Sequence, residues 1–388
     1  MTNRSIDALD ARVLPQGVRA RLVPDVNGLT MHLLEAGAPE RPCVLLLHGF
    51  PELAWSWRTV MPALAEAGYY AIAPDQRGYG RTTGWDPEYD GDVASFRPMN
   101  LVRDTMGLLA ALGRRSVAAV VGHDFGASVA AWCALLRPDL FRSLVLMSAP
   151  FAGPPALGGS AAGGAALGGL GADAIHRALA ALERPRKHYQ WYYATREANA
   201  DMWQCRQGVH AFLRGYFHYK SADWPGNNPV RLAGWNAAEL ARMPTYYIMD
   251  QDRTMAETVA ANMPSPEAVA RCAWLPESAL RVYSDEYRRT GFQGGLQWYR
   301  CRTHGIGAGE LQVFSGRTID VASMFIAGAR DWGVYQNPGA IERMQTTACS
   351  AMRACHLVDG AGHWVQQEKA DEVITLLLGF LAAEAAGD

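Results

Sequence analysis

The stretch Val121-Gly122-His123-Asp124-Phe125-Gly126-Ala127 constrains this chain more than any other. Ahead of it, Ser116 to Val121 is a short apolar run rich in Val and Ala, which reads as a fully buried strand. Behind it, Ser128 to Leu136 reads as a helix that stops before Arg137-Pro138. A buried strand, one residue pinched between glycines and then a helix is the layout of a nucleophile elbow. The glycines leave room for a tight turn, and the residue between them is held in strained backbone with its side chain exposed. That residue is Asp124. A carboxylate nucleophile attacks carbon by displacement and leaves an ester, whereas a serine would attack a carbonyl. The plainer reading of the same residues is an ordinary strand-to-helix turn with a capping aspartate.

Other strands can be placed around this one. Cys43 to Leu47 is a second continuous apolar run and leads into His48-Gly49-Phe50-Pro51-Glu52, a turn able to aim a backbone N–H back at the elbow. Tyr69 to Pro74 is a third run, followed by Asp75 to Gly80, where Asp75 and Arg77 are read as structural turn residues. Leu144 to Met147, Val321 to Gly328 and a short run near Cys355 to Val358 complete the set. Asn100 to Leu112 and Lys369 to Ala385 carry helical apolar spacing, and a hairpin is expected around Asp25 to Leu29. Alternating strands and helices predict an α/β fold with a mostly parallel, doubly wound sheet. The alternation breaks after residue 150. Residues 153–171 are Gly/Ala/Pro-rich and read as a linker or exposed loop, and from about Ala174 to Gly307 an aromatic-rich stretch without strand alternation reads as a helical insertion. The expected division is a core of residues 1–150 and 320–388, with a mainly helical cap over 151–319 inserted after the strand near 144–147.

Composition excludes several classes. A net charge of −2, with both signs mixed along the chain, argues against nucleic acid or an anionic membrane as a main partner. No apolar run approaches the ~20 residues of a membrane span, and the first residues lack the apolar centre of a signal peptide, so a cytoplasmic protein is expected. The seven cysteines form no CxxC pair, which suggests neither a disulfide framework nor a zinc site. A homo-oligomer is compatible with the sequence.

Two further residues join Asp124. Asp331 follows the run ending at Gly328, and His363 sits in Gly360-Ala361-Gly362-His363-Trp364 after the last strand. Nucleophile, acid and histidine thus stand in that order, each after a buried strand. Either could instead be a loop residue. Asp250 is a rival acid, but it falls inside the insertion; Asp359 is only four residues from His363, and no acid follows Met147.

With these segments the chain resembles the epoxide hydrolases of the α/β-hydrolase fold. The resemblance rests on His48 to Glu52 with Trp55-Ser56-Trp57-Arg58, Asp75 to Gly80, Gly122 to Gly126 and Gly362-His363-Trp364. Two segments of the insertion discriminate further, Tyr189-Gln190-Trp191-Tyr192 and Gly291 to Arg300, which look like those that supply the family's two acid tyrosines. The resemblance implies Asp124 as nucleophile, His363 as water-activating base and Asp331 as its orienting acid. Tyr189 and Tyr299 would hold the epoxide oxygen, and the backbone N–H groups of Phe50 and Phe125 would form the oxyanion hole. Gln190, Trp191, Trp298 and Trp364 are candidate substrate contacts. The chain departs from the family at Phe125, where Trp is common, and in an apparent extra cap segment from about Pro244 to Leu275.

The implied reaction is hydrolysis of a small, mainly apolar epoxide to a vicinal diol, with no metal or organic cofactor. The nearest rival is a haloalkane or haloacid dehalogenase built on the same Asp–His–Asp set. Phe125 offers no side-chain donor for a halide beside the nucleophile, whereas tyrosines suit an alkoxide that needs a proton. A hydrolase-fold receptor that binds without turnover is the remaining alternative, and an esterase is disfavoured because the elbow carries no serine.

Overall fold

The computed structural model describes residues 6–158 and 170–386. Eight strands form one sheet: β1 (Val18–Val26), β2 (Leu29–Ala36), β3 (Cys43–Leu47), β4 (Tyr70–Pro74), β5 (Ala119–His123), β6 (Ser143–Met147), β9 (Ala322–Gly328) and β10 (Met352–Val358). β7 (Arg186–His188) and β8 (Ile248–Asp250) pair separately as a short antiparallel ribbon. The sheet order is β1-β2-β4-β3-β5-β6-β9-β10, antiparallel at β1/β2 and β2/β4 and parallel elsewhere. β3, β4, β5, β6 and β9 are buried along their whole length, as expected of strands covered on both faces. Helices Pro98–Ala111 and Phe125–Leu136 pack on each other, and so do Val60–Glu66 and Ala370–Ala385, giving the sheet its two coats. The expected hairpin joins β1 to β2, with Asp25, Asn27 and Gly28 all at positive φ.

Between β6 and β9 the chain leaves the sheet and forms a mainly helical cap. Within it the helix Gly208–Lys220 packs on Glu277–Thr290, and Gln293–Thr303 packs on the short helix Tyr189–Tyr193. The ribbon β7/β8 is a departure from the sequence reading, which expects no strands in this stretch; each strand has only three residues, too few for a period-two pattern to register. The segment 244–275 supplies β8 and the helix Met255–Ala260, which packs on Gly208–Lys220. Of the Gly/Ala-rich linker expected over 153–171, residues 159–169 lie outside the described residues.

The cap is fastened to the core by close backbone approach as well as by side chains. A Cβ on Gly294 would meet the Gly78 carbonyl oxygen at 2.0 Å, so the helix Gln293–Thr303 reaches the core loop only because glycine stands at that point. Trp298 then donates its indole N–H to the Arg77 carbonyl at 2.9 Å, and Ser56 and Tyr283 hydroxyls meet at 2.6 Å. Arg77 itself is bound by Asp104 at 2.7 Å, and Asp75 accepts from Ala54 and Arg81 N–H groups. Both therefore act as turn fasteners, in line with the structural reading of that loop. Among the described residues no helix is long and apolar enough to cross a membrane.

Candidate active site

β5 ends at His123, and the helix Phe125–Leu136 begins two residues later, three residues earlier than its apolar pattern suggests. Asp124 between them has φ 52 and ψ −119, a strained conformation for a residue with a Cβ. The turn has room for it because of Gly49 on the neighbouring loop, where a Cβ would lie 2.4 Å from the Asp124 Cβ. The same loop offers the Phe50 N–H, which donates to Asp124 Oδ1 at 3.2 Å. Phe125 opens the elbow helix, so its N–H is one of the first-turn donors that lack a partner within the helix.

Two other strand ends converge on Asp124. Asp331 follows β9 and accepts from the Gly333 N–H at 2.7 Å; His363 follows β10 and places Nδ1 3.1 Å from Asp331 Oδ1. The far ring nitrogen, Nε2, lies 3.4 Å from Asp124 Oδ2. That spacing is long for a hydrogen bond, and Nε2 has no other partner among the described residues. All three side chains are buried. Burial alone would push the Asp124 carboxyl up, but nearby His363, Lys220 and His123 outweigh it and hold the group below the usual carboxylate range. For Asp331 burial is likewise outweighed, by His363, the Gly333 N–H and Lys220, so it too is held ionised.

Beneath the site lies a polar pair that the sequence reading did not single out. His123 Nδ1 is bound to the Glu52 carboxylate, which also accepts from Gly49 N at 3.1 Å and Gln366 Nε2 at 2.8 Å. Both groups are wholly buried. Burial opposes charge on each, yet their mutual attraction raises His123 and lowers Glu52, which favours the ion pair. The signal lay in the motifs themselves, since Glu52 and His123 sit beside Phe50 and Asp124; only the partnership was invisible. Glu368 is a second such residue. Its carboxylate accepts from the N–H groups of Gly362 and Trp364 at 2.9 Å and of Ala222 at 2.8 Å, so it ties the loop of His363 to the cap.

A cavity of about 170 Å³ opens over Asp124. Tyr189, Gln190, Trp298 and Tyr299 reach it from the cap and Phe125 from the elbow helix, and the lining includes the apolar side chains of Leu101, Val129, Trp132 and Phe151. The Tyr189 hydroxyl donates to Gln336 Oε1 at 3.3 Å and accepts from Gln190 Nε2 at 3.0 Å. The Tyr299 ring is gripped edge-on by Phe125 at 4.7 Å, Tyr193 at 4.9 Å and Phe50 at 5.4 Å. Its hydroxyl has no hydrogen-bond partner among the described residues and is left to the cavity. Burial, with the Asp124 charge adding to it, raises both phenols well above their ordinary range, so both carry their protons.

Two expected substrate contacts are not on this wall. Trp191 turns away and packs on the His176 and His188 rings, at 3.8 and 4.8 Å, because adjacent residues of the helix Tyr189–Tyr193 point in different directions. Trp364 is fully buried behind His363 and donates its indole N–H to the Phe217 carbonyl at 2.8 Å. Gln190 and Trp298 do line the cavity. The rival acid Asp250 is engaged instead by Arg184 at 2.7 Å and Arg186 at 3.3 Å.

A family model described as the α/β-hydrolase fold matches residues 42–166. Epoxide hydrolase A of Mycobacterium tuberculosis is 34% identical to the chain over 93% of its length and 96% of the relative's. The chain belongs to the epoxide hydrolases. Another member, epoxide hydrolase 2 of Siraitia grosvenorii, is 30% identical over 92% of this chain and 96% of its own. Solved epoxide hydrolases superpose over nearly the whole molecule: one from an endophytic Streptomyces at a TM-score of 0.75 and 30% identity, covering 95% and 96% of the two chains, and potato (Solanum tuberosum) epoxide hydrolase I at 0.73 and 29%, covering 94% and 99%. As an epoxide hydrolase the protein is a hydrolase with a cap over the sheet's carboxyl ends, where open α/β sheets bind their ligands.

Proposed function

We propose that this epoxide hydrolase opens a small, mainly apolar epoxide to a vicinal diol through a covalent ester on Asp124. Asp124 attacks a ring carbon, the C–O bond breaks, and Tyr189 or Tyr299 gives its proton to the departing oxygen. His363 then takes a proton from water, and the hydroxide adds to the ester carbonyl of Asp124 while the Phe50 and Phe125 N–H groups face the developing oxyanion. Collapse of that adduct frees the diol, whose oxygen takes the proton back from His363. The carboxyl proton of Asp124 replaces the one the tyrosine lost.

The observation that carries this reading is the placement of His363 Nε2 3.4 Å from a strained, ionised Asp124 carboxylate under a cavity wall with two protonated tyrosines. The free Tyr299 hydroxyl suits an alkoxide more than a halide. Incubation of His363→Gln with styrene oxide tests it: alkylation continues and ester hydrolysis stops, so the protein gains the mass of one epoxide on the peptide containing Asp124. An unmodified Asp124 in a variant shown to bind the epoxide would refute the covalent route. Wild-type turnover of haloalkanes but not epoxides would favour a dehalogenase.

A further inference from the structure

Lys220 ends the helix Gly208–Lys220 and is only 3% exposed, a rare state for a lysine without a carboxylate partner. Among the described residues no carboxylate is close enough to pair with it directly. Its ammonium instead sits among four rings, with Nζ 4.9 Å from the centroid of Tyr247, 5.4 Å from Trp364, 5.6 Å from Tyr216 and 5.9 Å from Tyr246. Aromatic faces hold a desolvated cation without taking its charge away.

This cage is fixed to the catalytic loop at several points. Trp364, one of its walls, is the neighbour of His363, and the His363 N–H donates to the Lys220 carbonyl at 2.9 Å. Gly362 packs so closely that a Cβ would meet that carbonyl at 2.7 Å, and Glu368 binds the N–H groups on both sides of His363 together with that of Ala222. The charges that face Lys220 are all negative: Asp124 from the elbow, Asp331 from the end of β9 and Glu52 from the loop after β3. Burial lowers its pKa from the ordinary lysine value, and those three carboxylates oppose the loss of its proton.

Direct contact would occupy a carboxylate oxygen that Asp124 and Asp331 need for other partners. A caged cation contributes the field and leaves both free. The two half-reactions differ in how they use that field. Alkylation moves negative charge from Asp124 to the epoxide oxygen, whereas ester hydrolysis returns it to Asp124. The imidazolium formed in the second step is compensated by Asp331 on the Nδ1 side, 3.1 Å away. On the Asp124 side the opposing positive charges are His123, which Glu52 already engages, and Lys220, which no carboxylate among the described residues engages directly.

We propose that Lys220 is a positioning residue that favours hydrolysis of the Asp124 ester over its accumulation, by holding a fixed positive charge against the carboxylate that reappears. This inference rests on the covalent role of Asp124. The test compares Lys220→Met, which is neutral and similar in length, with Lys220→Arg, which keeps the charge. Each is mixed with styrene oxide, with alkylation and hydrolysis followed separately by stopped flow and intact-protein mass.

The expected result for Lys220→Met is hydrolysis slower by about tenfold, the low end of what one opposite charge does to a carboxylate's ionisation, with alkylation undiminished and ester accumulating. Lys220→Arg recovers part of the hydrolysis rate. If the Met variant melts below the assay temperature, Lys220→Gln, neutral and polar, takes its place in the same comparison. Unchanged hydrolysis in a folded neutral variant, or an equal loss in both steps, overturns the proposal. Failure to detect an ester in any variant, His363→Gln included, overturns the covalent reading and this inference with it.

Discussion

Removing one hydroxyl from Tyr299 separates its chemical role from its packing role. The ring is held by edge contacts to Phe125, Tyr193 and Phe50, and Tyr299→Phe keeps every one of them. Because the hydroxyl has no partner among the described residues, its loss orphans no buried group there, and stability should change by less than about 1 kcal/mol. The rate should respond far more. A donor to developing alkoxide charge is lost, and alkylation should fall roughly ten- to a hundredfold, equivalent to about 1.4–2.7 kcal/mol of transition-state stabilisation. Hydrolysis of the preformed ester runs through His363 and should change little. Single-turnover mixing with styrene oxide, read by tryptophan fluorescence or quenched-flow mass, gives the two rates separately, and thermal melting gives the stability. Tyr189→Phe is the internal control, since it breaks hydrogen bonds to Gln190 and Gln336 and should cost about 1–3 kcal/mol of stability in addition to its rate effect. An alkylation rate unchanged in Tyr299→Phe would remove the free hydroxyl from the mechanism and reopen the dehalogenase reading.

Asp331→Asn keeps the shape of the site but loses the carboxylate that faces His363 Nδ1, so ester hydrolysis should slow on the order of a thousandfold while alkylation persists; equal rates in variant and wild type would refute the orienting role. Glu368 carries a pH signature. Burial pushes its carboxyl up to about 7, against the pull of the Ala222, Gly362 and Trp364 N–H groups. A pKa raised on folding means the native state binds the proton more tightly. That contribution is complete below the unfolded value of about 4.3 and is lost as pH rises through about 7, up to roughly 4 kcal/mol. Glu368→Gln cannot titrate, so urea melts should show its stability relative to wild type rising between pH 5 and 8; a constant difference would contradict the assignment.

Strand positions, elbow turn and insertion point were legible because local patterns specify them. β3, β5, β6 and β9 are continuous apolar runs, which only a sheet covered on both faces can bury. Glycines at 122 and 126 mark the turn around Asp124, and the change of composition after residue 150 marks the insertion. The ribbon β7/β8 was not legible. Three-residue strands have no period, and their pairing joins residues far apart in the chain.

Asp124, Asp331 and His363 could be nominated from sequence because each follows a strand whose end the parallel sheet must bring to one edge. Distance is another matter. The 3.4 Å between Nε2 and Asp124, and the side chains that hold it, depend on how several separate loops pack. Which cap residues face the cavity was equally a tertiary decision. Gln190 and Trp191 are neighbours in one short helix, yet only the first lines the pocket, since the direction of a helical side chain depends on the rotation at which the helix docks. In the sequence Glu52 is one residue of a turn motif, and nothing singles out Lys220 or Glu368. Only folding removes water from them, and desolvation is what turns ordinary surface charges into groups that set the ionisation of Asp124 and the place of His363.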